Sequence, residues 1–500
     1  AEAVTRDALR WIQANSSVPF FAFVHLFDLH RPYELKTRSG STAGLSGYDA
    51  ELAHVDDVLG DFFQALRDLG VYERSLIVVI SDHGESLGEH GESTHGYFVY
   101  QSTLWVPLIA HWPSATHRFA ATIQQPASLI DVAPTVLEFL HLASPPEFQG
   151  RSLFRLFGGS GAAAETVYSE SLYARDHLAC SALRSLRWGR YQYIDAPKPE
   201  LYDLIRDPRE LANLYPDHRS LAASMAGRLQ SLMAKFMPAQ PPQVLVSPDA
   251  EEPLKSLGYM GVSRPGAALS ENGPDPKDRL KEYQQYLRAL RLEQTGKVLE
   301  AIVQYQRILA EAPDIHLARS NLASCYLQAG RYTNAIQELN EVLASDPYDL
   351  SAERWLGLAW VKMRNPGEAR AAFHDVLAQS PSDYVANYNL GMLDEVERHW
   401  QAAEEHFNAA LRARPQTPDV FNALGVLLMD QGEAGKAQQD FQTAIRLDPT
   451  FARAYYNLGT LLASRQRYRQ AAQEFRRALA LNPKFEEARR ALAALPARAQ

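Results

Sequence analysis

Prolines stand at positions 313, 347, 381, 415, 449 and 483, a constant step of thirty-four. Other residue types keep the same step. Twelve positions before each proline lie Ala301, Ala335, Ala369, Ala403, Ala437 and Ala471, and eight before lie Tyr305, Leu339, Phe373, Phe407, Phe441 and Phe475. From the second copy on, a leucine recurs twenty-five positions upstream of the proline (Leu322, Leu356, Leu390, Leu424, Leu458), and glycine follows it in four of the five. A period of this length accommodates one helical hairpin, and several residue types in register over so many copies do not arise by chance. Small Ala and Gly let two helices approach, the aromatic fills the gap between them, and proline marks the turn to the next pair. Each pair buries its face only against its neighbours, so such a segment must fold as a stack.

This pattern resembles the tetratricopeptide repeat, in six copies from about residue 282 to 485 with a capping helix over 485–496. The resemblance implies an all-α solenoid over 281–500 with a concave groove for a peptide or protein partner. A spacer or an oligomerisation surface fits the same residues.

Positions 1–280 have another texture. Five hundred residues set a prior of about three domains, and 46% hydrophobic with 22% charged residues allows a large core. The net charge of -9 gives no global basic field, so neither nucleic acid nor an anionic membrane is an expected partner. Both signs read as mixed along the chain, without an acidic or basic tail. The two cysteines, Cys180 and Cys325, fall in different regions and form no CxxC pair, which removes thiolate zinc modules. No apolar run approaches the ~18 residues of a membrane span. The chain begins with Ala1, so further sequence is expected upstream.

Runs at 18–27 ("VPFFAFVHLF"), 75–80 ("SLIVVI") and 106–112 ("VPLIAHW") read as fully covered strands. Between the first two, Leu52, Val55, Leu59, Phe62, Leu66 and Leu69 recur at three- and four-residue steps and Gly70 follows as a stop, which predicts a helix. Another helix is expected after Asp131. Strand, helix, strand is the rhythm of an α/β sheet covered on both faces. "TVYSESLY", "CSALRSL" and "RYQYIDA" predict a small antiparallel sheet, and residues 237–280, rich in Pro, Gly and Ser, read as a linker.

Directly after "SLIVVI" comes "SDHGESLGEHGESTHG", residues 81–96. Ligand sites in α/β sheets gather beyond the carboxyl ends of strands. Asp82 and His83 there can aim oxygen and nitrogen at one cation, Gly84 and Gly88 allow a tight loop, and His95 can approach whatever the cation holds. A solvated turn is the plainer alternative for any Asp-His pair taken alone. Three other tracts argue against it: "FAFVHLFDLHRPYE", which ends a strand with His25, Asp28 and His30; "STHGYFVYQSTLWVPLIAHWP"; and "LYDLIRDPRELANLY" at 201–215.

Together these tracts resemble the sulfatase family of the alkaline phosphatase superfamily, in that family's order, with "DVAPTVLEFL", "FQGRSL" and "LKSLGYMG" (254–261) completing the match. The resemblance implies a partial sulfatase-like α/β domain over 1–160 and a small carboxyl-terminal subdomain over 161–236. It implies a divalent metal on Asp82 and His83, calcium by family, with zinc or manganese suggested by a His at the second position. It places His95 and His30 as the catalytic residues, against the sulfate or phosphate oxygens or protonating the leaving oxygen. For His25, His54 and His90 a solvated or hydrogen-bonded structural role is the plainer reading, and Asp28 either orients a histidine or caps a turn. Cys180, in "CSALRS", reads as core. The family nucleophile, a formylglycine made in a C-x-P-x-R or S-x-P-x-R motif, is absent, as is the early metal-binding aspartate pair; the chain alone is therefore expected to be incomplete and inactive. Three functions remain open: a hydrolase of sulfate esters, a phosphoethanolamine-type transferase or hydrolase acting on phosphate esters, and a non-catalytic scaffold. The family resemblance implies an exported or membrane-tethered protein.

Overall fold

The structure is a computed structural model that describes residues 1–31, 33, 47–113, 122–156, 166–236 and 273–496. Two compact units emerge. One gathers the described residues of 1–175, 180–236 and 273–280; the other takes 281–496 together with 176–179.

The first unit opens with helix α1 (Glu2–Asn15), which lays Ile12 against Phe62 and Leu66 of helix α2 (Tyr48–Asp68). The helix expected from the leucine periodicity is present. Gly70 ends it at φ +64°, a left-handed value that glycine adopts without steric cost, and Val71 N–H then donates back to Leu66 O at 2.9 Å. Strand β1 (Ile77–Ile80) pairs antiparallel with strand β2 (Leu108–His111), Ile77 opposite His111 and Ile80 opposite Leu108. Helices α3 (Gln101–Leu104) and α4 (Val132–Phe139) flank β2 in sequence, and α4 is the helix expected after Asp131.

The strand expected at 18–27 does not form, and β1 and β2 are not covered strands. Phe21 and Phe23 are each 80% exposed and Ile109 is 62% exposed. Val, Ile and Phe in a run signal burial, and burial needs a facing layer. Among the described residues no such layer covers these side chains.

The second half of the unit is a meander of strands β3 (Thr166–Ser171), β4 (Leu183–Trp188), β5 (Tyr191–Asp195) and β6 (Glu200–Asp203), each antiparallel to the next. Short helix α5 (Tyr173–Leu178) follows β3, and helix α6 (Arg219–Phe236) covers one face of the sheet, setting Ala222, Met225 and Leu229 on Leu186, Tyr193 and Leu201. Of the expected linker, 237–272 lies outside the described residues, as does the "LKSLGYMG" tract. Residues 273–280 are docked on the meander: Asp275 accepts from Lys198 N–H and Lys277 N–H, both at 2.9 Å, and Pro274 O accepts from Ser181 N–H at 3.0 Å.

The second unit is a run of thirteen described helices from Leu280–Gln294 to Glu486–Ala493, six antiparallel pairs and a cap. Its periodic residues explain one another. A Cβ built on Gly357, Gly391, Gly425 or Gly459 would stand 2.6–2.7 Å from the ring of Phe373, Phe407, Phe441 or Phe475, sixteen positions further on. Each ring packs on bare backbone. In the second copy Ala323 occupies the glycine place, and there the opposing residue is Leu339, which packs with it. Gly391→Ala is expected to destabilise the repeats by about 1–3 kcal/mol in urea unfolding, because the buried Phe407 ring has nowhere to go. Gly435→Ala, in a helix where nothing lies within 4 Å of the new methyl, should be neutral or stabilising by up to about 1 kcal/mol.

Candidate active site

The Asp82–His83 pair leaves β1 on a loop shaped by backbone bonds. Ser81 Oγ donates to His83 O at 2.6 Å, and His83 N–H donates to Asp82 Oδ1 at 3.0 Å. Gly84 N–H donates to Thr103 O in α3 at 2.8 Å, and a Cβ on Gly84 would meet Ser102 O at 2.4 Å. Glycine is required there because the loop is pressed against the helix backbone.

Three imidazoles gather around this loop. The His83 and His95 rings lie 4.0 Å apart between centroids, and His30 meets His95 edge-on at 5.4 Å. Phe27 stacks under His30 at 4.5 Å. Each Nδ1 faces an oxygen that can only accept: Arg31 O at 2.8 Å for His30, Gly84 O at 2.9 Å for His83, and Glu85 Oε2 at 3.1 Å for His95. Each Nδ1 must therefore carry the proton that makes the bond, and each Nε2 is left for another partner. Neutral, an Nε2 is a metal ligand or proton acceptor; protonated, it donates to an anion. Of the residues singled out from sequence, His30, Asp82, His83 and His95 come together.

The remaining histidines do other things. His90 stacks on Tyr100 at 3.6 Å, its Nε2 lies 3.2 Å from Arg209 O, and burial pushes its pKa down. His25 sits between Phe23 and Phe27, while His54 is buried in α2 with neither ring nitrogen hydrogen-bonded among the described residues. Asp28 Oδ2 lies against the backbone nitrogen of Ala1. Cys180 is buried and in no disulfide, in keeping with its core assignment.

Three buried carboxylates were not singled out from sequence. Glu85, its side chain 5% exposed, holds His95. Glu92 accepts from Tyr97 N–H at 2.8 Å and Phe98 N–H at 3.2 Å. Glu210, of the "DPRELANL" tract, accepts from Gln101 N–H at 2.6 Å and so ties down the start of α3. The loop carrying His95 is thus pinned at both ends. Within the same tract Asn213 Oδ1 accepts from Leu201 N–H at 3.1 Å and Tyr215 N–H at 2.9 Å, which accounts for its unusual composition structurally. All three carboxylates lie in tracts singled out for other reasons, Glu85 and Glu92 within 81–96 and Glu210 within 201–215.

Burial pushes the Glu92 carboxyl up to about 8 and Glu210 up to about 7, against an ordinary value of 4.5. Between about pH 5 and about pH 8 the folded chain then holds protons that the unfolded chain has released, so stability falls as pH rises through that window. Thermal unfolding across it is expected to show the decline, and Glu92→Gln should flatten the slope while lowering the midpoint at acid pH. An equal slope in the variant would refute the assignment to Glu92.

Asp82 Oδ2 and His83 Nε2 lie 3.7 Å apart. Neighbouring ligands at bonds of about 2.0–2.2 Å in tetrahedral geometry are about 3.4 Å apart, so the pair fits as two adjacent ligands of one cation. Among the described residues no third carboxylate or imidazole joins them within 4.8 Å; the group meeting that criterion is Asp394, Glu397 and His399 in the repeats. There Arg370 already lies 2.7 Å from Asp394 Oδ1 and 2.9 Å from Glu397 Oε2, which satisfies the charge that a metal would need.

Comparison with known proteins follows the same division. Residues 1–142 match the Sulfatase family, residues 88–235 the family described as N-sulphoglucosamine sulphohydrolase, C-terminal, and residues 286–349, 356–418 and 422–484 the Tetratricopeptide repeat. Arylsulfatase K of Mus musculus is 29% identical over 198 residues, covering 37% of this chain and 35% of that protein. An arylsulfatase of Clostridium perfringens is 25% identical over 174 residues, covering 34% and 35%. The chain spans about a third of the length of the curated relatives it matches. Among solved structures, a tetratricopeptide repeat protein from Parabacteroides merdae is similar at 20% identity and a TM-score of 0.37, over 44% of this chain and 85% of that one.

Proposed function

We propose, for a chain that carries a sulfatase-family region followed by tetratricopeptide repeats, that residues 30, 82, 83 and 95 are one half of the site of a metal-dependent sulfuric ester hydrolase. The observation that carries this reading is the convergence of three imidazoles, each with Nδ1 occupied and, among the described residues, no hydrogen bond on Nε2, beside the carboxylate of Asp82. Asp82 and His83 Nε2 hold a divalent cation, which supplies Lewis-acid polarisation of the ester oxygens. His30 and His95 direct Nε2–H at the same oxygens, and one of them protonates the leaving alcohol. Glu85 fixes the ring plane of His95 through its Nδ1. No C-x-P-x-R or S-x-P-x-R segment occurs in these 500 residues, so this reading requires a formylglycine nucleophile and further metal ligands that they do not supply. The exposed Phe21, Phe23 and Ile109 support this: they are large apolar side chains of the kind a further layer of the catalytic domain covers. The repeats dock a peptide or protein partner, as stacked helix pairs commonly do.

The test is turnover of an aryl sulfate and an aryl phosphate by the product of the complete gene, with and without chelator. Chelator-sensitive hydrolysis favouring the sulfate is expected. A preference for the phosphate moves the assignment to phosphoryl chemistry, and no chelator-sensitive turnover of either ester leaves the chain a scaffold.

A further inference from the structure

The mixing of charge signs read from the sequence fails at one end of the solenoid. Residues 451–500 carry ten basic and three acidic side chains, a net of +7, in a chain of net -9. The segment before it, residues 341–450, carries nine basic and seventeen acidic, a net of -8. The terminal repeat is therefore a local positive field on an acidic protein.

Its charges are free to act. Arg477 pairs with Glu474 and Arg489 with Glu486. Arg465, Arg467, Arg469, Arg476, Lys484 and Arg490 are exposed and have no carboxylate in ion-pairing range among the described residues. Arg469 and Arg476 are seven positions apart on the helix Tyr468–Leu481, which places them on one face, and Arg465 and Arg467 stand in the turn that leads into it. A cleft whose lining includes Arg453, Asn482, Lys484 and Phe485, with one carboxylate, Glu487, opens in the same repeat. Five of the six uncompensated cations are arginines, whose planar forks match the oxygens of sulfate and phosphate groups two at a time.

We infer that the terminal repeat is a docking surface for a polyanionic polymer bearing several sulfate groups, the chemical class of substrate for the site in the first unit. The inference rests on the sulfatase reading for its choice of sulfate over other anions. The repeat end holds the polymer by charge and by arginine forks, without reading the sugar.

Binding is measured on the full chain with dextran sulfate as probe and neutral dextran, anionic vesicles and duplex DNA beside it. Dextran sulfate is expected to bind, with an affinity that falls as salt rises. The variant R465Q/R469Q/R476Q should weaken it at least about tenfold without changing the unfolding midpoint, since all three side chains are exposed. Equal binding of neutral dextran, an undiminished affinity in the variant, or tighter binding of vesicles or DNA than of dextran sulfate would overturn the inference. The readout needs no turnover: absent binding leaves the hydrolase reading standing, and absent hydrolysis leaves a positive binding result standing.

Discussion

Asp82→Ala is expected to lower ester turnover by the complete gene product at least about a thousandfold. A divalent cation at a polarised ester oxygen supplies several kcal/mol of transition-state stabilisation, and each ~1.4 kcal/mol is a factor of ten in rate. Asp82 is the carboxylate of the pair and carries the charge that offsets the cation's desolvation. Its side chain is 71% exposed and, among the described residues, its Oδ1 accepts only the neighbouring His83 N–H, so its loss costs the fold little. The measurement is kcat together with bound metal per protein. Loss of both with an unchanged unfolding midpoint is the expected pattern, whereas turnover near the unsubstituted rate would mean that Asp82 holds no catalytic cation.

His95→Ala is the second large effect. A positioned acid or anion-binding imidazole contributes about 10²–10⁴ in rate, and His95 lies at the centre of the cluster, in ring contact with both His83 and His30. Glu85→Gln should be milder, about 10–100-fold, because an amide oxygen still reaches Nδ1 but holds the ring less firmly than a carboxylate. The expected order in kcat is unsubstituted, then Glu85→Gln, then His95→Ala. A Glu85→Gln enzyme as slow as His95→Ala would make Glu85 a participant in the chemistry rather than a positioning residue.

The two halves of the molecule differ in how far the sequence discloses them. In the repeats, positions one period apart see the same surroundings, so the glycine-ring packing of Gly391 on Phe407 recurs along the chain and leaves its mark as a regular spacing. The sulfatase resemblance, carried by short tracts in order, is matched by family comparison over residues 1–235. Asp82, His83 and His95 share one loop and could be singled out together. The partners that position them could not. Glu210 reaches back to Gln101 from a distant tract, and Glu92 grips backbone N–H groups, to which any side chain could be attached. The run at 18–27 misleads for a related reason. Composition reports that Phe21 and Phe23 suit a covered sheet, but not whether the covering layer lies within the same chain segment.

The central claim is that one cation and one anion meet at residues 30, 82, 83 and 95. Anomalous scattering from crystals of the complete gene product grown with manganese and sulfate tests it most directly. A manganese peak bonded to the Asp82 carboxylate and His83 Nε2, with a sulfate on the Nε2 atoms of His30 and His95, is the expected result. Manganese bound elsewhere, with these four side chains contacting only water, would contradict it.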